Sequence, residues 1–340
     1  MKSLRMRKDR TLYFKELPPP GPPGPQEVLV KMRYASICGY DLMMLAGAAA
    51  FPQDGMMGHE GAGTVVSVGS QVQPTDLAPG DPVTIDPYAK CGKCDSCRSD
   101  RPQYCADPTG HADLMTEYLV LPQTNLYRLP EAVSLMAGSL IEPLMMAMHT
   151  VEKARLGIGS SVLLIGCGAM GQIILKLART HPVGKIVVVE PVASKREAAL
   201  RFGADVVLDP SAGNMLAEAL LLTEGRGFDA VIEASGSRAA AHLAPNMVAR
   251  GGSVVYFGLY GMNYNLELNL FNLYWKDASI SCVCVPSGRF PAALALAPRL
   301  HLEEVITGVF PFAQALAAFQ EKLGGQHAKV TLEFPSDSVQ

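Results

Sequence analysis

The chain has 340 residues, with 29 Lys and Arg against 32 Asp and Glu, a net charge of −3 at pH 7 and 49% hydrophobic residues. At about 100–200 residues per domain that length fits two domains, each with its own core, and the charge balance leaves no basic footprint for a nucleic-acid partner. Apolar runs such as VLLIGCGAMG (162–171) stop short of the roughly 20 residues that span a bilayer, and the basic start MKSLRMRKDR leads into no apolar h-region, so no membrane is expected and a cytoplasmic protein with reduced thiols is.

In chain order, LPPPGPPGP (17–25) reads as a surface connector, and EVLVKMRYASI after it partly alternates as a half-buried strand does. TVVSVGSQV (64–72) and DPVTIDP (81–87) are short, β-branched and bounded by Gly or Pro, so the first part reads as a β-rich domain with irregular loops. A Met- and Ala-rich helix is predicted over 142–153. From there strands (SVLLIG, KIVVVE, DVVLD, FDAVIEAS, SVVYFG) alternate with helices (GQIILKLART, SKREAALRFG, MLAEALLLTEG, RAAAHLAPNMVARGG). That succession predicts a doubly wound α/β domain with a parallel sheet covered on both faces. After about Pro286 a helix over 312–323 and a strand over 329–334 return the tail to the first domain. The expected division is therefore 1–142 with 286–340 as the β-rich domain and 143–285 as the doubly wound one. SVVYFG and SISCVCV are expected as edge strands through which subunits pair.

GCGAMG follows the strand VLLI and opens a helix, the context that gives a GxGxxG match its meaning. Gly166 allows the tight turn, Gly168 the approach of a pyrophosphate, and Gly171 close packing of helix on strand, while the helix start at Ala169 and Met170 offers free N–H groups to the phosphates. Glu190 ends the next strand, where a carboxylate accepts from the adenosine ribose hydroxyls and repels a 2′-phosphate, so NAD is the expected cofactor over NADP. Lys195 and Arg196 are cations at the same corner. The alternative is a glycine turn that binds no nucleotide.

Cys91, Cys94, Cys97 and Cys105 fall within fifteen residues, at spacings of three, three and eight. Four thiolates so placed can close a tetrahedral zinc shell with no open position, hence a structural metal. An iron–sulfur cluster and a redox CxxC are the alternatives. The other ligand-type residues, Cys38 in ICGYD, His59 and Glu60 in GHEGAG, and Glu142 in IEPL, each have a plain structural reading when taken singly.

Taken together, CGYD, GHEGAG, the four-cysteine lobe, EPL, GCGAMG and the closing KVTLEF resemble the zinc-dependent medium-chain dehydrogenase/reductase family over nearly the whole chain, and the EPL motif resembles its polyol or sorbitol dehydrogenase branch. The resemblance implies a GroES-like catalytic domain beside a Rossmann domain. It also implies a catalytic zinc held by Cys38, His59 and a carboxylate, either Glu60 or Glu142, so two zincs per chain. By the same resemblance Asp41 is the acid beneath that metal, Lys329 its basic partner, and Lys195 a residue that NAD-dependent members also carry.

Two positions depart from the family pattern. Tyr40 stands where a Ser or Thr is usual, keeping a hydroxyl that could relay a proton, and Met43 replaces a relay histidine. Met43, Met44, Met56 and Met57 read first as core filling. The resemblance implies NAD-dependent oxidation of a small secondary alcohol (polyol, sugar or cyclitol) to a ketone by a homodimer or homotetramer. A zinc-dependent reductase of aldehydes or other unsaturated carbonyl compounds and a catalytically silent paralogue are the alternatives.

Overall fold

The computed structural model describes all residues except 74, 100, 102, 103, 108, 111, 112, 285–288 and 337–340. The chain divides into two compact units, Met1–Met145 with Ser287–Gln340, and Met146–Pro286.

In the first unit β1 (Lys2–Met6) and β2 (Leu12–Glu16) form an antiparallel hairpin. The main strands are β3 (Glu27–Ser36), β4 (Glu60–Val68) and β5 (Pro82–Ile85). The short pair β6 (Tyr88–Ala89) and β7 (Thr109–Gly110), then β8 (Tyr118–Pro122) and β9 (Leu126–Arg128), follow. Helix α1 (Gly39–Leu45) lies between β3 and β4, α2 (Asp95–Arg98) between β6 and β7, and α3 (Leu135–Gly138) precedes α4 (Ile141–Ala154). β3 organises the sheet: one edge pairs with β4, and the other is shared between β8 at Glu27–Lys31 and a strand from the far end of the chain at Tyr34–Ser36. Its alternation is the physical reason, since Val28, Val30 and Met32 are fully buried on one face while Leu29 and Lys31 are not.

The second unit runs β10 (Val162–Ile165), α5 (Ala169–Ala178), β11 (Ile186–Val189), α6 (Ala193–Arg201), β12 (Val206–Leu208), α7 (Met215–Leu221), β13 (Phe228–Glu233), α8 (Arg238–Met247), β14 (Val248–Tyr256), α9 (Leu270–Lys276) and β15 (Ser279–Cys282). The strands are parallel, in the order β12-β11-β10-β13-β14-β15. All four residues of β10 and of β11 are buried, as apolar strands covered on both faces must be. The order reverses between β10 and β13, and ligands of doubly wound sheets bind outside the carboxyl ends at that point.

Two expectations are corrected here. SVVYFG lies in β14, which is interior between β13 and β15, so the edges are β12 and β15. The helix RAAAHLAPNMVARGG ends at Met247, because the β-branched Val248 already pairs with Phe228 as the start of β14.

Back in the first unit, α10 (Phe290–Leu296), β16 (Ile306–Pro311), a short 3-10 turn at Phe312–Gln314, α11 (Ala315–Leu323) and β17 (Lys329–Glu333) close the chain. β17 is the strand that pairs with β3 at Tyr34–Ser36, which brings Lys329 close to the residues that follow β3.

Candidate metal centres and nucleotide turn

Cys38 caps the start of α1 immediately after β3, and Glu60 opens β4, the strand paired with β3 through Ser36↔Glu60. The register therefore carries Cys38 to the pair His59–Glu60, and one donor atom from each of Cys38, His59 and Glu60 lies within 4.8 Å of the others. The tight turn before His59 needs glycine: Gly58 has φ +88°, and a Cβ there would meet Met115 at 2.6 Å.

The surroundings of these donors are buried and charged. Asp41 is fully buried; its Oδ2 accepts from Cys38 N–H at 2.8 Å, and its Oδ1 lies 3.8 Å from His59 Nδ1 with no hydrogen-bond partner among the described residues. Lys329 Nζ donates to both oxygens of Glu60, at 2.8 and 2.6 Å, with both side chains almost wholly buried. The basic residue thus pairs with Glu60 rather than with Asp41. Each carboxylate oxygen has a second lone pair, so this pairing leaves Glu60 able to accept a cation on its other side.

Glu142, in the first turn of α4, is buried, and desolvation raises its carboxyl to about 7 against the lowering pull of His59 and Lys329. It is electrostatically coupled to His59 and Glu60 but stands outside the set of three donors that converge. Burial also raises the Cys38 thiol and the Asp41 carboxyl. For His59, burial alone would lower the imidazole, yet the charge of Cys38 and then of Asp41 and Glu142 holds it well above its ordinary value. Acidic groups thus outnumber basic ones here, four (Cys38, Asp41, Glu60, Glu142) to two (His59, Lys329). A divalent cation that takes sulfur, nitrogen and oxygen donors would displace the protons of the raised groups, and zinc is the metal this donor set suits.

Tyr40 stands beside this cluster, its ring edge-on to His59 at a centroid distance of 6.5 Å, and it is 40% exposed. Met44 and Met57 are buried in the core and Met43 packs against it, while Met56 bridges to Arg5 at the hairpin. Two neighbours were not foreseen. Asp86 is buried after β5 and ion-paired with Lys90, and the Tyr88 hydroxyl is pushed up by burial and by the charges of Glu142, Cys38 and Glu60. The signal for both is the run IDPY, where a carboxylate follows directly on an apolar strand.

The second cluster is Cys91, Cys94, Cys97 and Cys105, whose sulfurs also lie within 4.8 Å of one another. The Cys94–Cys105 sulfur distance is 4.0 Å, about twice a disulfide bond, and all four thiols are free. Cys94 caps α2, and backbone N–H groups of Ala106 and Cys97 hold its thiol down at about 6, so a thiolate is available at neutral pH. Desolvation, together with hydrogen bonding to the neighbouring cysteines Cys94, Cys105 and Cys91, pushes Cys97 the other way, to about 12. A closed four-sulfur shell suits a structural zinc. We predict that Cys91→Ser loses one zinc per chain and lowers thermal stability, because binding energy in such a shell is folding energy; unchanged zinc content with an unchanged melting curve would contradict it.

In the second unit the turn after β10 sits at the point where the strand order reverses. Gly166 has φ +94°, and a Cβ there would meet Ser235 Cα at 2.7 Å; a Cβ on Gly171 would collide with the carbonyl of Gly166. A Cβ on Gly168 would meet nothing within 4 Å, so the backbone lies open beside the start of α5, whose N-cap Gly168 supplies no side-chain cap to the first turn at Ala169 and Met170. The start of this ten-residue helix, with no side-chain cap, is chemically suited to receive an anion such as a pyrophosphate. Glu190 closes the corner: its carboxylate accepts from Cys167 N–H at 2.7 Å and from Val192 N–H at 2.9 Å. Lys195 is close enough to pull down the Cys167 thiol, which burial and Glu190 raise to about 12.

The alcohol dehydrogenase GroES-like domain family matches residues 24–131, and the zinc-binding dehydrogenase family matches 169–299. The chain belongs to the zinc-dependent medium-chain dehydrogenase/reductase family, whose members are oxidoreductases acting on CH–OH groups. D-xylulose reductase A of Aspergillus niger is 29% identical over 94% of this chain and 92% of its own, and its Aspergillus terreus counterpart is 30% identical over 94% of each. Among solved structures, a protein of zinc-binding-dehydrogenase type from Sinorhizobium meliloti 1021, bound to NADP, superposes with a TM-score of 0.90 at 26% identity over 98% of each chain. The alcohol dehydrogenase TADH of Thermus sp. ATN1 gives 0.88 at 26% identity over 98% of this chain and 100% of that one.

Proposed function

We propose that this chain is an NAD-dependent dehydrogenase that oxidises a small secondary alcohol of polyol, sugar or cyclitol type to its ketone. The observation that carries the reading is the convergence of Cys38, His59 and Glu60, beside which the buried Asp41 keeps an oxygen with no hydrogen-bond partner among the described residues. Zinc held there would supply the Lewis acidity that lowers the pKa of an alcohol hydroxyl, and NAD held at the glycine turn would supply the hydride acceptor.

The chain's own residues do the rest. Cys38, His59 and Glu60 would hold the metal, Asp41 places its carboxylate beside His59 while accepting from Cys38 N–H, and Lys329 holds Glu60 in place by donating to both of its oxygens. Glu142 is a third carboxylate, electrostatically coupled to His59, Glu60 and Lys329. Gly166, Gly168 and Gly171 shape the seat of the pyrophosphate, and the anchored Glu190 carboxylate orients the adenosine ribose. Incubating the protein with NAD and a panel of secondary alcohols, and following nicotinamide absorbance, tests the reading; absence of reduction with both NAD and NADP across the panel would sink it.

Tyr40 is the group beside His59 that can move a proton at its Oη, so we predict that Tyr40→Phe slows alcohol oxidation more at neutral than at alkaline pH, where hydroxide takes over the relay. An unchanged ratio between the two would leave Tyr40 as a space filler.

We also infer that the active form is an assembly of two or four copies. The outer edge of β15 is unpaired among the described strands, and α9, which packs on β14 and leads into β15, exposes Leu270, Phe271, Tyr274 and Trp275. A molar mass of a single chain by light scattering would remove this part of the reading.

A further inference from the structure

Glu190 and Arg196 make opposite demands at the ribose corner. The carboxylate disfavours a 2′-phosphate, whereas a nearby arginine is the group that accommodates one in dinucleotide folds. In the structure the Arg196 guanidinium is already engaged. Its Nη1 donates to the carbonyls of Glu190 and Pro191 at 2.9 and 2.6 Å, and its Nη2 lies 3.0 Å from Asp209 Oδ2.

Asp209 reaches this corner because β12 pairs with β11 through Val189↔Leu208, and Glu190 N–H continues that pairing onto the Leu208 carbonyl at 3.1 Å. Its other oxygen is pinned from the far side, Oδ1 accepting from the Ser211 backbone N–H at 2.9 Å and from the Ser211 hydroxyl at 2.6 Å. Hydrogen bonding from that hydroxyl holds the carboxyl below its ordinary value, so it is ionised wherever the enzyme works. A fixed anion thus occupies the Nη2 side of the Arg196 guanidinium.

We propose that Asp209 is a coenzyme-specificity residue: by holding Arg196 it withholds the cation that a 2′-phosphate would use, and so enforces the choice of NAD that Glu190 begins. The inference rests on the reading of Glu190 as the carboxylate facing the ribose. Selectivity of this kind combines an unfavourable element against the wrong ligand with the removal of a favourable one. A guanidinium released from a carboxylate is free to grip a phosphate with two parallel hydrogen bonds. Replacing Asp209 by Asn keeps Oδ1 as the acceptor for Ser211 and puts an amide NH2, which cannot accept from Nη2, in place of the charged oxygen that holds it.

The test is direct binding of NADH and NADPH, followed by nicotinamide fluorescence, in the wild type and in Glu190→Ser, Glu190→Ser/Asp209→Asn and Glu190→Ser/Asp209→Asn/Arg196→Ala. Glu190→Ser is expected to weaken NADH about tenfold and to begin to admit NADPH; adding Asp209→Asn tightens NADPH a further fivefold or so, and adding Arg196→Ala cancels that gain. If the double variant does not fold, Asp209→Asn alone is read by its NADPH to NADH Kd ratio, which should fall about two- to threefold.

A double variant that binds NADPH no tighter than Glu190→Ser, a gain that survives Arg196→Ala, or an unmoved ratio in Asp209→Asn overturns the assignment of Asp209 while leaving Glu190 in place. A wild type that prefers NADPH, or a Glu190→Ser variant with unchanged NADH affinity, overturns the reading of Glu190 and this inference with it.

Discussion

Cys38→Ser should cut alcohol oxidation by about a thousandfold or more, the rate equivalent of about 4 kcal/mol of lost Lewis-acid assistance, while zinc content falls from two per chain to one. The fold should survive, because Cys38 is only partly buried, whereas β3 and β4 on either side of it are locked into the core by Val28, Val30, Met32 and Val65. The remaining zinc belongs to the Cys91 lobe, which shares no ligand with the first cluster. Metal analysis and kcat measured on the same preparation read both effects. Two zincs with a wild-type rate would remove Cys38 from the catalytic site.

Lys329→Met should destabilise the metal-free protein by about 3–5 kcal/mol, the usual cost of stripping one partner from a buried ion pair. The effect is large because Glu60 and Lys329 are each no more than 2% exposed, so that the abandoned carboxylate has no water to turn to. A zinc held by Cys38, His59 and Glu60 would offset part of the stranded charge, so the destabilisation is expected to be greater after chelation. Adding Glu60→Gln removes the stranded charge and should recover most of the stability. An unfolding free energy from urea titration within about 1 kcal/mol of wild type in the chelated protein, or no recovery in the double variant, would show that the pair is not a coupled unit.

Much of this architecture is written in local patterns. The alternation of β3 and the fully apolar β10 and β11 announce a half-buried antiparallel sheet and a parallel one, because the side-chain period and the number of covered faces set those patterns directly. GCGAMG is legible for the same reason: each glycine answers a steric demand inside a span of six residues. The four-cysteine lobe is legible from spacing, since a closed shell needs only that four thiols return to one point.

The pairing of Lys329 with Glu60 was not legible. It depends on β17 joining β3 across some three hundred residues of chain, and no local pattern carries that register. Asp86 and Tyr88 were missed because their proximity to Glu142 is tertiary. The convergence of Asp209 on Arg196 likewise follows from the pairing of β11 with β12, while each residue alone reads as a surface charge. SVVYFG was misread as an edge because apolar strands look alike whether or not a further strand lies beyond them.

The account stands most directly on where zinc sits, and anomalous scattering at the zinc edge from crystals of the metal-loaded protein measures that. Two peaks per chain are predicted, one inside the four sulfurs of Cys91, Cys94, Cys97 and Cys105, the other among Cys38 Sγ, the His59 ring and a carboxylate of Glu60 or Glu142. A single peak confined to the four-cysteine lobe, in crystals grown with zinc in excess, would contradict the account.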